Sequence, residues 1–99
     1  MKKIQDLVDN IDEEIEDAKK YAEMYLYEKA AQNQKRAKYY NEMSLEELKH
    51  ATYLHDIAVE EIEKLEKVYK APEEMKEEWN KAHIRYADRV AWIKQMLVM

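Results

Sequence analysis

Ile4, Leu7, Val8, Ile11, Ile15, Ala18, Ala22, Tyr25 and Leu26 recur at spacings of three and four, so they share one face of a helix. The stripe then fails, because its continuation would be the polar residues Lys29, Asn33 and Arg36. The pattern predicts a first helix over about 4–30 and a turn near Ala31-Gln32-Asn33-Gln34. Asn33 is the local residue that best tolerates a left-handed cap. A second stripe runs through Leu48, Ala51, Leu54, Ala58, Ile62, Leu65 and Tyr69, and Tyr39, Tyr40 and Met43 extend it backwards. It predicts a helix over about 35–70. Ser44 offers a rival start, since Ser44-Leu45-Glu46-Glu47 matches a capping box and would begin the helix about ten residues later. The backward extension of the stripe favours the earlier turn.

The Ala71-Pro72 step ends the second helix, because proline disfavours helix at the residue before it and suits the first turn of the next. A third helix over about 73–97 carries Met75, Trp79, Ala82, Tyr86, Val90, Ile93 and Leu97 on one face, with Glu73, Glu74, Glu77 and Glu78 well placed against its N-terminal dipole. Ile84, Trp92 and Met96 fall off that face and suggest a second apolar strip that meets another subunit. Two long helices joined by a short turn lie antiparallel, and the third packs on the hairpin or swings away from it. The expected fold is one all-α domain over residues 1–99. A two-helix hairpin cannot cover both its apolar faces, so completion to a four-helix bundle by dimerisation is the expected remedy.

Composition narrows this further. The chain has no glycine and one proline, so nothing supplies the positive φ that tight strand hairpins need, and sheet folds are excluded. Acidic residues outnumber basic ones 22 to 17 with both signs interspersed, which leaves no basic stripe for nucleic acid. The absence of cysteine removes disulfides and thiolate metal sites. No apolar run approaches the roughly 20 residues of a membrane span, and the start Met1-Lys2-Lys3 does not lead into a signal-peptide core. The expectation is a soluble, cytoplasmic protein with no nucleic-acid or membrane partner.

One residue breaks the apolar pattern in a way that suggests chemistry. At 100° per residue Glu47 falls within the arc of Ala51, Leu54, Ala58, Ile62 and Leu65, where a lone carboxylate is costly to ionise. His50 lies one turn on at the edge of the same arc, so one carboxylate and one imidazole can converge on a single metal ion. Such a Glu-x-x-His pair is common by chance among sixteen glutamates and three histidines. Glu14 adds weight: it stands 33 residues before Glu47, so a turn near residue 31 brings the two to the same height across the hairpin, with Tyr21 seven residues further along the same flank.

Glu14-x6-Tyr21 followed by Glu47-Leu48-Lys49-His50-Ala51 resembles half of the site in ferritin-like proteins, particularly the rubrerythrin and encapsulated-ferritin branches. The resemblance covers about residues 4–70. It implies a ferritin-like helical bundle in which Glu14, Glu47 and His50 ligate metal and Tyr21 hydrogen-bonds a ligand carboxylate from outside the metal's own shell. Residues 73–99 lack a second Glu-x-x-His, a departure from the complete bundles. By analogy with encapsulated ferritins, a two-fold dimer would supply four carboxylates and two imidazoles, a set suited to a di-iron centre that also accepts manganese or zinc. Ferroxidase activity, and residence inside a protein compartment, are what the resemblance implies.

The plainer readings compete directly. Glu47 as the last residue of a Ser44 capping box would be an exposed helix-start residue. Glu16 and Glu23, near alternatives to Glu14, fall away from the stripe and read as solvated. His55 and His83 have Thr52 and Asn80 three residues before them, neither a ligand type of choice, and read as structural. The aromatic residues most simply form a core or interface. The alternative function is a non-enzymatic helical oligomerisation or interaction module, such as a small phage or mobile-element protein, which needs only the amphipathic stripes.

Overall fold

The computed structural model describes residues 2–68, 70 and 72–99, and it contains three helices: α1 (Lys2–Ala30), α2 (Gln34–Val68) and α3 (Glu73–Leu97). Tyr69 and Ala71, which the sequence assigned to the end of α2, lie outside the described residues together with Met1. The molecule is a rod of 55 × 17 × 17 Å. Its length is that of a single long helix at about 1.5 Å per residue, as expected when helices lie side by side.

The turn after α1 explains the antiparallel hairpin. Gln32 N–H donates to the Lys29 carbonyl at 3.0 Å and Asn33 N–H to the Glu28 carbonyl at 2.9 Å, which is the Schellman pattern that closes a helix C-terminus. The left-handed residue is Gln32, with φ of 61°, and not Asn33 as the sequence suggested. Asn33 instead opens α2: its Oδ1 accepts from Arg36 N–H at 3.2 Å and its carbonyl from Ala37 N–H at 3.0 Å. An N-capping side chain satisfies donors that the helix itself leaves free, and Asn is among the best residues for it. The reversal therefore uses two adjacent polar residues for two different ends.

Ser44 does not start a helix. It sits within α2, wholly buried, and its hydroxyl donates to the Ala18 carbonyl of α1 at 2.7 Å. Along the helices Ala18, Ala22, Ala51 and, further on, Ala58 are all fully buried, so small side chains line the seam between α1 and α2. Small residues at a helix contact shorten the interaxial distance. A buried serine fits that seam only because its hydroxyl is satisfied. Ile11, Ile15 and Leu48 add bulk beside it, while Tyr39 and Met43, assigned to the stripe from sequence, are exposed. Ala37 and Ser44 take the buried places on that stretch instead.

α3 packs chiefly on α1 and runs parallel to it, closing a three-helix arrangement within one chain. Pro72 precedes its first turn as the N-cap residue, at φ −59°. Ile93, Met96 and Leu97 join the core from α3, with Trp79, Tyr86 and Val90 packed against it. Met96 thus belongs to the buried face, whereas Ile84 and Trp92 remain exposed. Among the described residues, no helix is long and apolar enough to cross a membrane.

Candidate metal centre

The two sides of α1 differ in what they meet. Asp12 and Glu16 face α3, where Arg85 binds Asp12 with two hydrogen bonds of 3.0 and 3.3 Å and Arg89 reaches Glu16 at 2.8 Å. Glu14 stands two residues from each, about 200° around the helix, on the flank of the hairpin that α3 leaves open. Across that open flank, α2 presents Glu47 and His50, at the level that the Ala18–Ser44 contact fixes one turn away.

The three side chains converge. One ligand atom from each of Glu14, Glu47 and His50 lies within 4.8 Å of the others. His50 Nδ1 is 3.6 Å from Glu14 Oε2 and 3.8 Å from Glu47 Oε2, distances of ion pairing too long for good hydrogen bonds. Glu14 Oε2 is buried and has no hydrogen-bond partner. The carboxylates are half-buried, at 29% and 23% side-chain exposure, whereas His50 is 53% exposed. Glu47 is therefore less enclosed than its place in the apolar arc implied, and His50 forms the rim.

Proximity of two carboxylates changes their protonation. The Glu47 carboxyl is pushed up from the ordinary 4.5 to about 7, first because its protonated form hydrogen-bonds Glu14, then through burial and the repulsion of the Glu14 charge, with Asp17 adding to it and His50 opposing it. A buried Glu14 Oε2 without a partner and a Glu47 carboxyl that holds its proton to neutrality are two signs of one crowding, two acids brought together beside a single imidazole. A proton relieves that crowding, and so would a cation.

Tyr21 lies on the same open flank, two turns from Glu14, and its ring stacks on Tyr40 of α2 with centroids 6.3 Å apart. Among the described residues its hydroxyl makes no hydrogen bond to Glu14 or Glu47, so the stack fastens the hairpin beside the cluster. Glu16 is engaged by Arg89, and Glu23 pairs along its own helix with Lys19 at 3.9 Å.

Elsewhere, the structure joins residues that sequence reasoning left apart. His55 Nε2 and His83 Nδ1 are 2.8 Å apart across α2 and α3, ringed by Trp79 and Tyr86. No local spacing signals this pair, since its members are 28 residues apart on different helices. Comparison with protein-family models, curated proteins and solved structures returns no match to the chain.

Proposed function

We propose that this chain is a carboxylate-rich metal-binding protein whose Glu14, Glu47 and His50 hold a divalent transition ion, and that two copies pair through their open hairpin flanks to complete a two-metal, di-iron-type centre. The observation that carries the reading is the convergence of two carboxylates and an imidazole from two helices around the unmet Glu14 Oε2. The donor set fits the group: oxygen and imidazole ligands suit iron, manganese or zinc. Three ligands do not fill the coordination sphere of any of these ions, and a two-fold partner doubles the set to four carboxylates and two imidazoles.

The surface around the cluster favours such a partner. Met43 and Ile57 are exposed on the cluster's flank of α2, two turns either side of His50, and each offers apolar area that a second hairpin would cover. Bound as substrate, two ferrous ions each give one electron to dioxygen, which takes up two protons to leave as hydrogen peroxide. For that chemistry Glu14 and Glu47 bind and neutralise the ions, Glu47 yields its proton on loading, and His50 at the rim fixes the side from which ions enter. The resemblance to ferritin-like half-sites supports iron oxidation as the activity, and the antiparallel α1–α2 hairpin brings its three ligand residues together.

Exposed apolar side chains such as Tyr39, Tyr53 and Trp92 also favour a second reading, a helical oligomerisation module without metal chemistry. One experiment separates them. The protein purified from iron-supplemented cells, and its Glu47→Ala variant, are assayed for metal content, mass in solution and oxygen-dependent appearance of ferric absorbance. About one ion per chain in a dimer, lost in the variant, supports the metal centre; a folded, metal-free oligomer at high iron leaves only the interaction module.

A further inference from the structure

His55 and His83 form a second cluster of metal-ligating side chains, separate from Glu14, Glu47 and His50. His55 Nε2 and His83 Nδ1 meet at 2.8 Å, and the far nitrogen of His55, Nδ1, faces Asp56 Oδ1 at 3.5 Å. A carboxylate on that side favours the tautomer with the proton on Nδ1, which leaves the Nε2 lone pair directed at His83. Tyr86 lies nearly parallel to the His55 ring at 4.5 Å and Trp79 sits at 5.4 Å, so two aromatic rings pack against the imidazole. Tyr86 is itself tied to α2 by its hydroxyl, 3.0 Å from Thr52 Oγ1. His55 is 14% exposed at its side chain, whereas His83 opens to solvent.

We propose that His55 and His83 are a two-imidazole clamp for a divalent transition ion of the copper(II), nickel(II) or zinc class, which fastens α3 to α2. Metal–nitrogen bonds of about 2.0–2.1 Å place two imidazole nitrogens about 2.9 Å apart at a right angle and about 3.3 Å apart at a tetrahedral one. The observed 2.8 Å lies next to the first value. Ring centroids in such pairs stand between about 4.5 and 5.2 Å apart, and these stand 4.9 Å apart. The rings thus already stand within a few tenths of an ångström of the separation a bound ion sets, and metal entry chiefly requires their reorientation. The proton in the His–His hydrogen bond shifts to the outer nitrogen of its own ring, both lone pairs then face the ion, and water fills the positions open on the His83 side. Imidazole is the ligand that copper, nickel and zinc share, which sets this site apart from the carboxylate cluster. α3 otherwise rests mainly on α1, so a staple between α2 and α3 closes the side of the rod that packing leaves weakest.

Trp79 beside the pair supplies the readout, because a copper(II) ion at contact quenches indole fluorescence. The chain has two tryptophans, so Trp92→Phe isolates Trp79, and Glu47→Ala in the same protein removes the carboxylate cluster from the measurement. Copper(II) alone, and zinc alone with thermal unfolding as the readout, are titrated into this variant and into one that also carries His83→Asn. Quenching that saturates near one equivalent, a zinc-dependent rise in Tm reversed by chelator, and a weakening of both by roughly tenfold or more in His83→Asn are expected. Circular dichroism checks that the His83→Asn protein, altered at an exposed position, keeps its helices. Trp79 fluorescence indifferent to micromolar copper, or identical titrations with and without His83, would overturn the clamp.

Discussion

The two flanks of α1 carry the same kind of residue and resolve it in opposite ways. On the α3 side Asp12 and Glu16 are met by Arg85 and Arg89, two fixed guanidinium groups that the third helix delivers. On the open side Glu14 meets another acid, Glu47, and among the described residues the one basic group within ion-pairing distance of either is the imidazole of His50. The first flank is electrostatically complete within the chain. The second is not, and its incompleteness shows as an unmet oxygen and a carboxyl that keeps its proton to about pH 7. An acidic residue therefore says little by its type; what the neighbouring helix brings to it decides whether it is a surface ion pair or a ligand in waiting.

The comparison predicts that the α3 side can be weakened without touching the open flank. Ile93→Ala, at a fully buried position of α3, is expected to cost about 2–5 kcal/mol of stability. Chemical denaturation measures the loss, and metal affinity per folded molecule should be unchanged. Loss of metal binding in the folded variant would mean that α3 supports the cluster after all. Ser44→Ala comes next, because it leaves the Ala18 carbonyl without its buried donor; a loss of about 1–3 kcal/mol is expected in the same assay. Since this bond sets the register of the hairpin next to Glu47, weaker metal binding should accompany it.

These residues also mark what could be read in advance. Three helices, the hairpin and the shared height of Glu14 and Glu47 were legible, because helical period and the position of one turn determine them. The role of Ser44 was not: its local sequence matches a capping box, and only the Ala18 carbonyl on another helix distinguishes a buried seam residue from a cap. The left-handed cap fell on Gln32 and not on Asn33 for a similar reason, since a one-residue shift leaves the hydrophobic pattern unchanged. The histidine pair and the arginine–acid pairs of α3 join residues by packing alone, with no periodic signal in the chain.

Protonation gives a finer contrast. The Glu47 carboxyl has a folded pKa of about 7 against an ordinary 4.5, so between these values the folded state binds more protons than the unfolded one. The contribution of Glu47 to stability in the absence of metal should be fully present below about 4.5, fall as pH rises through that window and be lost above 7. Glu47→Gln, which imitates the protonated form, should flatten that slope in denaturation measured across the window. Metal loading runs the other way and should strengthen as pH rises towards 7, since the ion displaces the same proton. Smallest of all, Arg89→Ala on the completed flank should change stability by no more than about 1 kcal/mol, as partly exposed ion pairs do. It should leave metal binding unaltered.

The contrast between the flanks reduces to one measurement: anaerobic titration of ferrous ion into the wild-type protein, Glu14→Ala and Glu16→Ala, two acids two residues apart on the same helix. The wild type and Glu16→Ala should bind with equal affinity and stoichiometry, and Glu14→Ala should bind at least about a hundredfold more weakly, as expected when a coordinating carboxylate is removed. Equal binding by all three proteins, or no binding by any of them, would contradict the claim that the open flank is a metal site.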